Sequence, residues 1–179
     1  MSDGNTVLNL AKVLQLAKRV PQEQFLEKCP DPVFVAMGVL EAQEIRARCG
    51  ATTEVQVSKP ATHNPRRQHP LAGQVFVLPL SSKDSGSIIF GRERPADILV
   101  PDDTVSILHC VIEWSEGRVT ITDPGSTNGT QVNLLPLRQK RPVALLNEDI
   151  VTIGPHSFQY FLPDGFYQVL CGLSRPSLR

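Results

Sequence analysis

From Gly73 onward the chain is built of short apolar runs separated by turn clusters, and this texture constrains the fold more than any other feature. QVFVLPL is followed by SSKDSG, SIIF by GRERPA, DILV by PDDT, HCVIEW by SEG, and RVTIT by DPGSTNG, before VAL, IVTIG and SFQYF. Such runs are too short for helices, and their boundaries are Gly, Pro, Asp, Asn and Ser, the residues that turns require. Many strands at short spacing specify an antiparallel sandwich or barrel. HCVIEW sets Cys110, Ile112 and Trp114 against His109, Val111 and Glu113, and RVTIT sets Val119 and Ile121 against Arg118, Thr120 and Thr122. Each strand therefore presents one core face. After Phe161, PDGFYQVLCGL reads as a short closing helix, with Asp164 as its N-cap and Phe166 and Leu170 on one face.

The first 72 residues read differently. Residues 6–20 place Val7, Leu10, Leu14 and Ala17 at helical spacing, with Val13 and Val20 widening the stripe. Packing against the chain's own core is the plain expectation for this face; a docking helix for a partner or a second copy is the alternative. Pro21 opens a second short helix, PQEQFLEKC, which CPDP at 29–32 ends. VFVAM at 33–37 and TEVQV at 53–57 read as short strands, with LEAQEIRARCG between them as a helix. Residues 58–72 hold three prolines, His63, His69 and the Arg66-Arg67 pair, which is linker chemistry. The two histidines lack acidic or cysteine partners at metal-ligand spacing. The expected divisions are 1–65 as an N-terminal extension with helices and short strands, 66–72 as linker, 73–163 as the sandwich, and 164–179 as the closing helix and tail.

Composition removes several function classes. The 179 residues carry 18 Lys+Arg and 18 Asp+Glu, so the chain has no formal net charge and lacks the basic excess of a general polyanion binder. No stretch approaches the ~20 apolar residues of a membrane helix. The opening MSDGNTVLNLAKVL has no basic region before its apolar part. A cytoplasmic location is expected. Cys29, Cys49, Cys110 and Cys171 are scattered, with no C-x-x-C pair, and read as reduced structural thiols.

The polar residues with chemical potential fall in turns rather than in strands. They are Gly91-Arg92, Ser106-x-x-His109, Ser126-Thr127-Asn128-Gly129-Thr130, and Asn133. Loops at one end of a sandwich converge on a rigid scaffold. Arg92 supplies a planar fork of five donors suited to phosphate. Ser106 and Thr127 supply hydroxyls, and Asn128 supplies a donor and an acceptor that suit a peptide backbone. Gly125 and Gly129 permit the left-handed backbone that turns N–H groups toward an anion. The set suits recognition of a phosphate ester rather than its cleavage.

Taken in order, FGRERPADILVPDDTVSILHCVIEWSEGRVTITDPGSTNGTQVN and the later LLNEDIVTIG resemble the forkhead-associated (FHA) domain, and the resemblance covers about residues 73–163. It joins GR, S-x-x-H, D-x-x-S-T-N-G-T-x-V-N and D-x-V-x-I-G. It implies a mainly β protein: an eleven-stranded antiparallel β-sandwich, here with an α-containing N-terminal extension and a short C-terminal helix. It also implies phosphothreonine-peptide binding with no catalytic activity, no cofactor and no metal. By motif, Arg92 would bind the phosphate and Ser106 would hydrogen-bond one of its oxygens. Thr127 would line the phosphate and threonine-methyl pocket, and Asn128 would hold the ligand main chain. Gly91, His109, Gly129 and Asn133 would support the site structurally. The implied partner is a phosphothreonine-containing protein, a Ser/Thr kinase or its substrate, and not nucleic acid or membrane.

Two departures from the family pattern stand out. Leu134-Leu135-Pro136 follows Asn133 where the family has glycine, which gives an expected apolar preference three residues after the phosphothreonine. Ile107-Leu108 fills S-x-x-H where a basic residue is common. Two competing functions remain to be weighed against structure. One is a phosphate-independent scaffold that uses the N-terminal helix or the Leu134-Leu135 loop. The other is a hydrolase triad of Ser106, His109 and Asp123, which lacks a nucleophile elbow.

Overall fold

A computed structural model describes residues 7–38, 71–78 and 85–173. The expected helix in LEAQEIRARCG, the strand TEVQV, Cys49, the linker, and His63 and His69 lie outside the described residues. The described part holds twelve strands and three helices: β1 (Val7–Asn9), α1 (Leu10–Arg19), α2 (Gln22–Lys28), β2 (Val33–Gly38), β3 (Gln74–Val77), β4 (Ser85–Gly91), β5 (Ile98–Leu99), β6 (Cys110–Ser115), β7 (Arg118–Thr122), β8 (Thr130–Val132), β9 (Leu135–Pro136), β10 (Val143–Ala144), β11 (Ile150–Ile153), β12 (His156–Phe161) and α3 (Pro163–Leu173).

The strands form the expected two-sheet sandwich. A seven-stranded sheet runs β1-β3-β2-β12-β11-β8-β9, and a five-stranded sheet runs β10-β7-β6-β4-β5. Pairing is antiparallel except between β4 and β5, which run parallel with Phe90 opposite Ile98. The two inner faces enclose a core that includes Phe34, Phe76, Phe90, Ile112, Ile121, Ile153, Phe158 and Tyr160. Each such side chain, fully buried, contributes ~1.5–3 kcal/mol relative to exposure.

The N-terminal segment belongs to this sandwich rather than standing before it. β2 lies between β3 and β12, with Phe34 opposite both Phe76 and Tyr160. Phe34 reaches Phe90 of the other sheet, with ring centroids 5.6 Å apart and nearly perpendicular. The sheet therefore does not begin at residue 73, because residues 7–38 contribute two of its seven strands. Strand alternation explains how β2 is buried on both faces. Phe34 and Ala36 enter the sandwich core, while Val33 and Val35 point to the opposite face. There they meet Val13, Ala17, Phe25, Phe166 and Leu170 from the helices. The apolar stripe of the first helix is thus spent on the chain's own core.

Two element boundaries differ from expectation. The first helix begins at Leu10, because the Asn9 side chain accepts from Ala11 N–H at 2.9 Å and caps it. Val7, expected on the helical stripe, pairs with Phe76 in β1 instead and is exposed. Asp164 lies inside the first turn of α3 rather than at its cap, because the helix starts at Pro163. Asp164 instead accepts a hydrogen bond from Gln22 Nε2 at 3.1 Å, joining α3 to α2.

Register fixes where function can sit. Phe90 is opposite Cys110, and Val111 is opposite Thr122. The end of β4, the start of β6 and the end of β7 therefore share one end of the sandwich. Their connections carry Gly91-Arg92, the 100–109 loop and the 123–129 turn.

Candidate functional site

The organising group of this end is Asp123, the first residue of the D-x-x-S-T-N-G-T motif, to which the sequence assigned no role beyond the triad. Its side chain is fully buried. One carboxylate oxygen accepts from the N–H groups of Gly125 (2.8 Å) and Ser126 (2.7 Å); the other accepts from Ser126 Oγ (2.6 Å) and Thr130 Oγ1 (3.0 Å). Burial pushes this carboxyl up, but the four hydrogen bonds outweigh it and hold it below its ordinary value. The turn that results has Gly125 at φ +129° and Gly129 at φ +77°, backbone that L side chains rarely adopt. Thr127 and Asn128 sit exposed at its tip. The sequence signal for Asp123 was present: an Asp followed by Pro, Gly and Ser favours an Asx turn onto its own backbone.

His109 locks that turn to the 100–109 loop. Its ring is fully buried, Nδ1 accepts from Ser106 N–H at 3.0 Å, and Nε2 donates to the Gly129 carbonyl at 3.1 Å. Both nitrogens are occupied by backbone and the ring is neutral. Desolvation lowers its pKa below 6.5, only partly opposed by the Gly129 bond and the Asp123 charge. Further hydrogen bonds bridge the loops. Thr127 N–H donates to Ser106 Oγ (3.0 Å), Asn128 Nδ2 donates to the Thr104 carbonyl (2.6 Å), and Arg92 N–H donates to the Ser106 carbonyl (3.0 Å).

The 100–109 loop is also held from below. Asp102 accepts from Thr104 N–H (2.9 Å) and Thr104 Oγ1 (2.5 Å), and its other oxygen lies 3.1 Å from His156 Nε2 on β12. Burial alone would raise the Asp102 carboxyl, yet Thr104 and His156 leave it below its ordinary value. Gly91 is required because the loop passes directly over it: a Cβ there would collide with the Ile107 carbonyl.

Arg92, Ser106, Thr127 and Asn128 are thus brought together at one surface. The Arg92 guanidinium is 37% exposed, 3.6 Å from Glu93 and 3.9 Å from the highly exposed Asp103. Exposed pairs of that kind contribute ~0–1 kcal/mol. A hydrogen bond to a charged group contributes ~1.5–3 kcal/mol, so an entering phosphate can displace them. Asn133 stands apart from this surface. It joins two hairpins, accepting from Ile150 N–H (2.9 Å) and donating from Nδ2 to Asp149 (2.7 Å).

The triad reading fails on geometry. Both His109 nitrogens and both Asp123 oxygens are committed to the loop framework, and Ser106 Oγ is bonded to Thr127 rather than to His109. The Leu134-Leu135 pair is split: Leu134, at φ +69°, is only 8% exposed and packs inward, whereas Leu135 is 59% exposed and is the half of the pair that remains on the surface. Ile107 and Leu108 are exposed beside the site. Among the described residues Cys29, Cys110 and Cys171 are free thiols, burial raises the Cys110 thiol, and no group of three metal-ligating side chains occurs.

The FHA-domain family model matches residues 88–154. The chain is 30% identical over 114 residues to the oxoglutarate dehydrogenase inhibitor of Corynebacterium glutamicum, covering 60% of this chain and 76% of that protein. The chain belongs to the FHA-domain family. It is also 40% identical over 88 residues to the proliferation marker protein Ki-67 of Mus musculus, covering 49% of this chain but only 2% of Ki-67. The solution structure of an FHA domain from an Arabidopsis thaliana hypothetical protein matches with a TM-score of 0.52 at 22% identity, covering 74% of this chain and 85% of that one. FHA domains are phosphothreonine-dependent interaction modules without enzymatic activity. No helix among the described residues is long and apolar enough to cross a membrane.

Proposed function

We propose that this FHA chain binds phosphothreonine peptides, with Arg92 and Ser106 on the phosphate, Thr127 at the phosphate and threonine methyl, and Asn128 on the ligand backbone. Gly91, His109 and Gly129 hold the loops that carry them, and Asn133 supports the sandwich behind by bracing two hairpins. The observation that carries the reading is the convergence of two connections and a strand end. They present one loosely paired guanidinium, two hydroxyls and an amide at a surface preorganised by Asp123 and His109. Such preorganisation reduces the ordering cost of binding. A phosphothreonine brings about −1.5 to −2 charge and three acceptor oxygens to these donors. The partner would be a Ser/Thr kinase or its phosphorylated substrate, met in the cytoplasm.

The scaffold alternative is weakened by two placements. The apolar face of α1 is buried against the sheet, and Leu134 is buried in its hairpin. A phosphothreonine peptide library screened by fluorescence anisotropy tests the choice. Wild type should bind selected peptides only when phosphorylated, and Arg92→Ala should abolish binding. Equal binding by Arg92→Ala, or indifference to phosphate, would refute the proposal.

A further inference from the structure

The phosphate site lies in an acidic neighbourhood, yet one cluster of cations sits beside it. Residues 85–173 contain six Lys+Arg, and three of them, Arg138, Lys140 and Arg141, fall within four consecutive residues. All three are exposed, and none forms an ion pair among the described residues. They lie on the 137–142 connection, which crosses from β9 of the seven-stranded sheet to β10 of the five-stranded one. The 123–129 turn makes the opposite crossing, from β7 to β8, and the two run side by side.

Their contact is specific. Leu137 N–H donates to the Thr130 carbonyl (2.9 Å), Lys140 N–H donates to the Asp123 carbonyl (2.7 Å), and Gln139 Nε2 donates to the Ser126 carbonyl (3.3 Å). Ser126 directly precedes Thr127, so the connection is fastened one residue from the candidate ligand surface. Lys140 holds φ +61°, a bend that commits the segment to this path. Exposed charges act only over ~8 Å at physiological salt, so these cations can influence only ligand side chains that pass over this connection. Across the site the charge reverses: Glu93 and Asp103 flank Arg92.

We propose that Arg138, Lys140 and Arg141 form an accessory subsite for carboxylate side chains on one flank of the phosphothreonine. The ligand is then a phosphopeptide acidic on one side of its phosphothreonine only, since carboxylates on the other side meet Glu93 and Asp103. This inference rests on the phosphothreonine reading and adds a charge polarity to it.

The test uses the full chain and three phosphothreonine peptides: one with Glu residues before the phosphothreonine, one with Glu after it, and one with Gln at all those positions. The variant combines Arg138→Gln, Lys140→Asn and Arg141→Gln, Asn being chosen because it tolerates the left-handed backbone. Wild type should bind one Glu peptide about three- to tenfold tighter than the Gln peptide, and the other no tighter. The variant should bind all three at the Gln level, and the wild-type preference should shrink with added salt. Equal binding of all three by wild type, or a preference that survives in the variant, would overturn the subsite. In either case Arg92-dependent binding of the Gln peptide would leave the phosphothreonine reading standing. Failure of every phosphopeptide would overturn both. Oligothymidylate binding that the variant loses, without any peptide preference, would identify a general polyanion patch and overturn the proposal.

Discussion

Replacing Asp123 tests whether one buried carboxylate organises the ligand-binding turn. In Asp123→Ala the hydroxyls of Ser126 and Thr130 can rotate toward other acceptors, but the N–H groups of Gly125 and Ser126 are fixed by the backbone. A buried donor left without a partner costs ~1–3 kcal/mol; Ser126 N–H is buried and Gly125 N–H only partly so, and Asp123→Ala should lose about 2–4 kcal/mol. Asp123→Asn keeps a carbonyl oxygen for those two N–H groups and loses only the charge assistance. Bonds to charged groups contribute ~1.5–3 kcal/mol and neutral ones ~0.5–1.5, while the amide is also cheaper to bury. Asp123→Asn should therefore cost about 1–2 kcal/mol, less than Ala.

Urea denaturation of the three proteins at neutral pH measures this directly, with unchanged slopes showing that stability alone has moved. The pH dependence supplies an independent check. The Asp123 carboxyl is held below 3.8 in the fold, so the unfolded chain takes up its proton first as pH falls. The advantage of wild type over Asp123→Asn should be full well above pH 3.8 and should shrink as pH falls below it and through the folded value. Equal costs for Asn and Ala would show that an acceptor oxygen for the two N–H groups is not what organises the turn, and a gap that does not change with pH would show that the charge of Asp123 is not.

Three further outcomes follow from the same framework. Gly91→Ala should push the 100–109 loop off β4, costing about 1–3 kcal/mol by thermal denaturation and weakening phosphopeptide binding. His109 has a depressed pKa, so wild-type stability should fall as pH drops below 6.5, where the unfolded ring becomes charged first; His109→Asn should remove that component of the slope. Leu134→Gly relieves left-handed strain of ~1–2 kcal/mol and gives up burial of ~1.5–3 kcal/mol. Its net loss should stay below about 2 kcal/mol by urea denaturation, and a larger loss would mean that Leu134 anchors the hairpin.

The sandwich was legible because its strands declare themselves by alternation: Cys110, Ile112 and Trp114 are all buried, as are Val119 and Ile121. The candidate site residues were legible because they occupy turns whose residue types have few other uses. Three features were not legible, each for a physical reason. VFVAM reads as a strand, but nothing local says that it pairs between β3 and β12, since partner choice depends on contacts distant in sequence. Val7 looks helical by spacing, and only the capping bond from Ala11 N–H to Asn9 and pairing with Phe76 move it into a strand. Leu134 looked like an exposed apolar contact because its neighbour is one, whereas the hairpin twists it inward.

The charge balance gains meaning once the geometry is known. Residues 69–179 carry nine Lys+Arg and eleven Asp+Glu, so the half of the chain holding the site is slightly acidic. A phosphate approaching it gains nothing from net charge, and long-range steering cannot supply the affinity. Local donors must do so: Arg92, held only by long pairs to Glu93 and Asp103, and the hydroxyl and amide groups on the loops that Asp123 and His109 fix. Because Asp123 and His109 are each engaged with backbone from another turn residue or loop, their loss would disperse the donors without removing any of them. Phosphate recognition in this chain is therefore expected to be as sensitive to two buried groups that never reach the ligand as to those that do.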